Sequence, residues 1–164
     1  MSDRDAWERF LQARRDAPPD VVEVTFGLPP ECRPLRAESL WARRAGPGLF
    51  VLENTPFHVD GVSYRDTVRA RLRRGEWRFA SVHARSGHST LRLHVADGWV
   101  GSPWPLLVAP LRLAGCSLER GGDRLAAVDV PPEVALHEVV RLLEEGRTLG
   151  RWEYEVAHLG HPTS

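Results

Sequence analysis

The residues best suited to chemistry fall in one stretch, Ser86-Gly87-His88-Ser89-Thr90-Leu91-Arg92-Leu93-His94. It interleaves hydroxyls, two imidazoles and a guanidinium with leucines. If His88 to Val95 is a strand, Leu91, Leu93 and Val95 share one face, and His88, Thr90, Arg92 and His94 share the other. Arg92 could hold a carboxylate or phosphate with two parallel donors, and His94 or His88 could transfer a proton near neutral pH. The loop from Ser86 to Thr90 could offer hydroxyls and backbone N–H groups to an anion. Plainer roles are open to the same groups. Arg92 could pair across strands with Glu153 or Glu155, or bridge to a second layer packed on this face. A second polar turn, Glu53-Asn54-Thr55-Pro56-Phe57, places Asn54 either within its own turn or in a cleft between two halves of the chain. The candidate ligand-binding set is Asn54, Ser86, His88, Ser89, Thr90, Arg92 and His94.

Stronger signatures are missing. There is no G-x-S-x-G elbow and no phosphate-binding P-loop pattern. His83, His88 and His94 are five and six residues apart, so His83 points away from the other two, and His158 with His161 lies in a non-helical tail. Neither set has zinc-ligand spacing, so no metal or cofactor is expected.

Composition narrows the partners. The 164 residues carry 22 basic and 22 acidic side chains, and every basic one is arginine, a pattern that codon bias explains. A neutral chain lacks the excess positive charge that non-specific nucleic-acid binding draws on. No apolar run approaches the ~20 residues needed to cross a bilayer. The first 17 residues are charged throughout and resemble no secretory signal, and Cys32 and Cys116 form no CxxC pair. A reducing, cytoplasmic setting follows as the expectation.

The elements that must position these groups divide the chain in three. Residues 1–19 contain an amphipathic helix at 3–16, stopped by Pro18 and Pro19. Residues 20–86 hold short strand-like runs: Val21–Phe26, a hairpin of Glu38–Arg44 and Leu49–Glu53 about Gly46-Pro47-Gly48, then Thr67–Arg73 and Trp77–Ala84 about Arg74-Gly75-Glu76. They suggest a small antiparallel sheet or barrel. Residues 87–161 change pattern. A strand at His88–Val95 leads to a helix capped by Ser102, with Pro103 first, carrying Leu106, Leu107, Leu111 and Leu113. Strands Cys116–Arg120 and Leu125–Val130 follow, then a helix striped by Leu136, Val139, Val140 and Leu143 and ended by Gly146, then a strand at Arg151–Leu159. That order is the ferredoxin-like βαββαβ arrangement, so the fold class is α+β. RNA binding by such domains uses aromatics on the open sheet face, which here carries Thr90, Arg92 and His94 instead. Nucleic acid is therefore not an expected partner.

Several stretches carry a family resemblance: Glu38-Ser39-Leu40-Trp41-Ala42, Asn54-Thr55-Pro56-Phe57, Asp66-Thr67-Val68, Ser86 to Arg92, and Trp152-Glu153-Tyr154-Glu155. Over residues 20–160 the chain resembles an uncharacterised bacterial family, a domain of unknown function. Where that family has Gly-Asp before a valine, this chain has Arg65-Asp66, which speaks against a tight glycine turn there. The resemblance implies no chemistry. The sequence alone favours a non-enzymatic module that binds a small acidic molecule or a protein partner. A cofactor-free lyase, isomerase or cyclase with a histidine acid/base and Arg92 as carboxylate anchor is the alternative. A third reading is an interaction or immunity-type protein acting through exposed sheet edges or an apolar patch around Trp99 and Trp104, and a homodimer through sheet faces or edges is also compatible with the pattern.

Overall fold

The computed structural model describes residues 18–98 and 100–162. The expected N-terminal helix and Trp99 lie outside these residues. Among the described residues the architecture is α+β, with two α-helices and two sheets.

The first sheet is a meander of β1 (Val21–Gly27), β2 (Ala37–Gly46), β3 (Leu49–Leu52), β4 (Thr67–Arg73) and β5 (Glu76–Ala84). Consecutive strands pair antiparallel, and β5 returns to β1 in parallel, closing the ring. Closure spans only Val24 with Trp77 and Thr25 with Arg78. The sheet is thus not purely antiparallel, because a five-strand meander brings its first and last strands together pointing the same way. Alternation sends Val24, Phe26, Leu40, Ala42, Phe50, Leu52, Val68 and Ala70 into one core. Leu72, in the same phase, runs past the end of that core and is 59% exposed.

The second sheet contains β6 (Ser89–Val95), β7 (Ser117–Arg120), β8 (Leu125–Val130) and β9 (Trp152–His158) in the order β7-β8-β6-β9, all antiparallel. Helices α1 (Trp104–Leu113) and α2 (Leu136–Thr148) alternate with these strands along the chain. Leu91, Leu93 and Val95 pack against Trp104, Leu107 and Leu111 of α1 and Val139 and Leu143 of α2. The helices therefore cover the leucine face of β6, and the polar face looks the other way.

Several local expectations shift. Pro103, not Ser102, caps α1, and Trp104 begins it. Leu107 and Leu111 are buried, while Leu106 and Leu113 face solvent. Trp104 supplies the missing core mass, with its indole N–H on the Asp123 carbonyl at 3.2 Å. It is only 2% exposed, so it forms no apolar surface patch. Val140 is half-buried rather than core. Gly146 does not end α2 but lies inside it, where the indole of Trp152 occupies the space a side chain would take. Trp152 then donates to the Leu143 carbonyl at 2.8 Å, locking β9 onto the helix. Glycine was needed here for close approach, not for a turn.

Replacing Gly146 by alanine puts Cβ 1.7 Å from the Trp152 ring. Gly146→Ala is expected to destabilise the fold by about 1–3 kcal/mol through overpacking. Urea unfolding checks this; an unchanged midpoint would contradict the helix–indole contact.

Candidate functional site

The polar face of β6 is covered. The irregular segment 53–66, between β3 and β4, lies across it. Val59 and Val62 of this segment turn into the core of the first sheet, 7% and 2% exposed, while its polar groups meet the second sheet. The result is a seam of buried polar residues: Thr55, Ser63, Asp66, Ser89, Thr90, Arg92 and Asp129.

Carboxylates satisfy the segment's backbone. Glu38 of β2 accepts N–H bonds from Phe57, His58 and Val59 at 2.7, 2.9 and 2.8 Å. Glu119 of β7 accepts the Thr55 N–H and hydroxyl at 2.8 and 2.7 Å. Asp66 accepts from the Ser63 N–H, the Ser86 N–H and hydroxyl, and the Arg85 guanidinium. Without secondary structure to pair them, buried backbone groups require such partners. Arg65 takes the left-handed region at φ 66, a conformation that favours glycine, and its N–H bonds the Leu52 carbonyl. A tight turn is present here without glycine, closed by the Asp66 N–H on the Ser63 carbonyl at 3.1 Å.

Each candidate residue now has a place. Asn54 does not stay within its own turn: its Oδ1 accepts the Trp41 N–H of β2 at 2.8 Å. The Ser86 hydroxyl donates to the Tyr64 carbonyl at 2.8 Å. Ser89 is fully buried, its hydroxyl 2.7 Å from His161 Nδ1 and accepting the Gly160 N–H. The Thr90 hydroxyl meets that of Ser63 at 2.7 Å. Arg92 reaches the Val59 carbonyl at 2.5 Å, Asp60 at 2.7 Å and Glu155 at 3.1 Å. It is both a cross-strand pair and a bridge between layers. His94, in the same phase, is exposed beyond the covering segment. The expected open polar surface is therefore corrected: Arg92 and Thr90 are sealed, His94 is in solvent, and the two do not share a pocket. A concavity of about 620 Å³ lies elsewhere, along the outer face of α2 beside Val140 and Leu149.

His88 retains a chemically suggestive partner. Its Nδ1 lies 2.8 Å from Asp129 of β8, and the Tyr64 ring meets its edge. Burial pushes the Asp129 carboxyl above its ordinary range, against the opposing pull of the His88 hydrogen bond. Burial likewise raises the Cys116 thiol to about 11, which makes it inert at neutral pH. His158, desolvated and close to Arg85, is held below the usual histidine range. Among the described residues no group of three or more potential ligands could hold a metal ion, and no helix is long and apolar enough to cross a membrane.

Sequence reasoning missed Glu38, Glu119, Asp66 and Asp129. The signal available was weak: acidic residues within otherwise β-forming runs, whose partners lie 19 to 64 residues away for Glu38 and Glu119.

The fold and seam define a class: an α+β protein whose two sheets are joined by a polar, internally satisfied segment. The family model Domain of unknown function (DUF4265) matches residues 38–154, and the chain belongs to that family. No curated protein matches the chain. A solved structure of a hypothetical protein from Neisseria gonorrhoeae is similar, with TM-score 0.73 and 20% identity over 85% of this chain and 96% of that one. That likeness establishes a shared fold.

Arg92→Ala removes the donor to Val59 and both charged partners, and is expected to lower stability by about 1.5–3 kcal/mol, read by urea unfolding. Asp129 provides a pH test. Its native pKa is raised, so its ionisation favours the unfolded chain, and stability falls as pH rises from the ordinary carboxylate range through the native value. Asp129→Asn should therefore gain stability relative to wild type across that rise; a difference independent of pH would refute the assignment.

Proposed function

We propose that this chain is a non-enzymatic interaction module, built from a small closed sheet and a ferredoxin-like half, and working in the cytoplasm. The observation that carries the reading is the commitment of Arg92. Its two Nη groups serve Val59, Asp60 and Glu155, and only its buried Nε has no partner, so the best anion anchor on the polar strand holds the molecule's own segment. Ser86, Ser89, Thr90 and Asn54 are engaged in the same way. Groups that close a seam are not free to turn over a substrate, which leaves the outer surface as the working part. The ferredoxin-like reading is supported by the β6-α1-β7-β8-α2-β9 order with β6 and β8 central. Two free thiols support the cytoplasmic one.

One observation favours a second reading. The His88–Asp129 pair has the geometry of an oriented imidazole, which suits a general acid/base in a cofactor-free lyase, isomerase or cyclase. Arg92 cannot serve that site as its anchor while it holds the segment.

His88→Asn separates the two readings, because the amide can still bond Asp129. The interaction reading expects the variant to capture the same cross-linked partners from its host and to complement a deletion as well as wild type. A folded variant that keeps its partners but fails to complement would transfer the assignment to the enzyme.

A further inference from the structure

We propose that the open edge of β9 receives an extended segment of a partner protein, which alternates basic and aliphatic side chains and adds antiparallel to the second sheet. The proposal rests on the interaction reading and names the chemistry of its partner.

Backbone is the first argument. β9 is the outermost strand of its sheet and pairs only with β6 among the described residues. The Ala96 N–H on the Arg151 carbonyl sets the phase of that ladder. Glu153 and Glu155 therefore spend their N–H and C=O groups on His94 and Arg92 of β6. Those of Tyr154 and Val156 point the other way, to the open edge. The register shift at Ala157, whose carbonyl accepts the Gly61 N–H, ends this edge. At the far side of the sheet β7 is blunted by its length of 4 residues, whereas β9 has 7.

Side chains are the second argument. On the helix side, Tyr154 packs half-buried against the core, and Val156, next in the same phase, is 50% exposed. Aliphatic side chains on an added strand would extend that core over Val156. On the other side, Glu153 and Glu155 are exposed. Glu155 shares Arg92 with Asp60, whose side chain is 74% exposed, and Glu153 forms no ion pair among the described residues. Arg147 feels the Glu153 charge but is held by Glu144. The middle of β9 thus carries surplus negative charge.

That charge also decides the occupant. A second copy pairing antiparallel about the middle of β9 would set Glu153 against the second copy's Glu155, or Glu155 against itself. Like charges so placed weaken a strand pair. The carboxylates bar one partner and select another. On an added strand, the residues opposite Glu153 and Glu155 take the non-hydrogen-bonded positions, where Cα atoms approach to ~4.5 Å and side chains are closest. Arginine or lysine at those positions, ~6.8 Å apart, with valine or isoleucine between them beside Tyr154 and Val156, is the matching pattern.

The test is fluorescence anisotropy of the full chain with a labelled peptide of alternating arginine and valine. Arginine–serine and glutamate–valine peptides of equal length serve as comparisons. Saturable, salt-sensitive binding of the arginine–valine peptide alone is expected. Amide exchange should slow at Tyr154 and Val156 and change little at Glu153 and Glu155, which β6 already protects. E153Q/E155Q, in which glutamine still offers Arg92 an acceptor, should weaken binding about tenfold or more. V156P removes an outward donor that β6 does not use, and should abolish binding with both glutamates in place. Equal affinity of E153Q/E155Q, equal binding of either comparison peptide, or unchanged exchange at Tyr154 and Val156 would each overturn the proposal. So would a dimer of the wild-type chain that protects those same amides. If the peptide fails while wild-type protein still captures a host partner, this inference falls and the interaction reading stands; failure of both removes both.

Discussion

Burying a stretch of chain that has no regular structure of its own is the constraint on which this molecule turns. Segment 53–66 cannot pair its N–H and C=O groups within a ladder, yet it lies between two sheets, with all but Asp60 and Arg65 buried or half-buried. Each unsatisfied group would cost about 1–3 kcal/mol. Two carboxylates from distant strands, Glu38 and Glu119, and the segment's own Asp66 prevent this by accepting backbone donors. Arg92 supplies the reverse service, donating to the Val59 carbonyl. The segment is held because acids lie where it has donors and an arginine lies where it has an acceptor.

This arrangement also explains how two separate apolar cores become one molecule. The core of the first sheet and that beneath the helices share no residue. What crosses between them is polar: Ser63 with Thr90, Arg92 with Asp60, and the Gly61 N–H with the Ala157 carbonyl. Such contacts are directional and leave little slack, so the seam sets the relative position of the sheets. Function is therefore sought at surfaces whose polar groups the fold does not consume, such as the solvent-facing Arg71 and Arg73 of β4.

Much of the fold was legible. Alternation in Val21–Phe26, Thr67–Arg73 and His88–Val95 marked strands, and the glycine turns at Gly46-Pro47-Gly48 and Arg74-Gly75 marked hairpins, because both signals are local. The phase of β6 was legible too, so Leu91 and Leu93 were placed correctly toward the helices. What was not legible was whether the opposite phase would be open. That depended on where residues 53–66 would lie, and no local pattern encodes it. Gly146 failed for the same reason: beside Arg147 it looks like a helix stop, and only the indole of Trp152 reveals a contact.

By itself, then, the sequence determined the element types, the two faces of each strand and the neutral charge that disfavours indiscriminate anion binding. All follow from properties of neighbouring residues. Tertiary structure alone decided which polar groups are consumed and which remain. Arg92 and Arg71 are both alternate arginines on β-strands, one sealed under Val59 and Asp60, the other in solvent opposite Arg78. The difference lies in what packs on them, and packing joins residues that the chain keeps far apart.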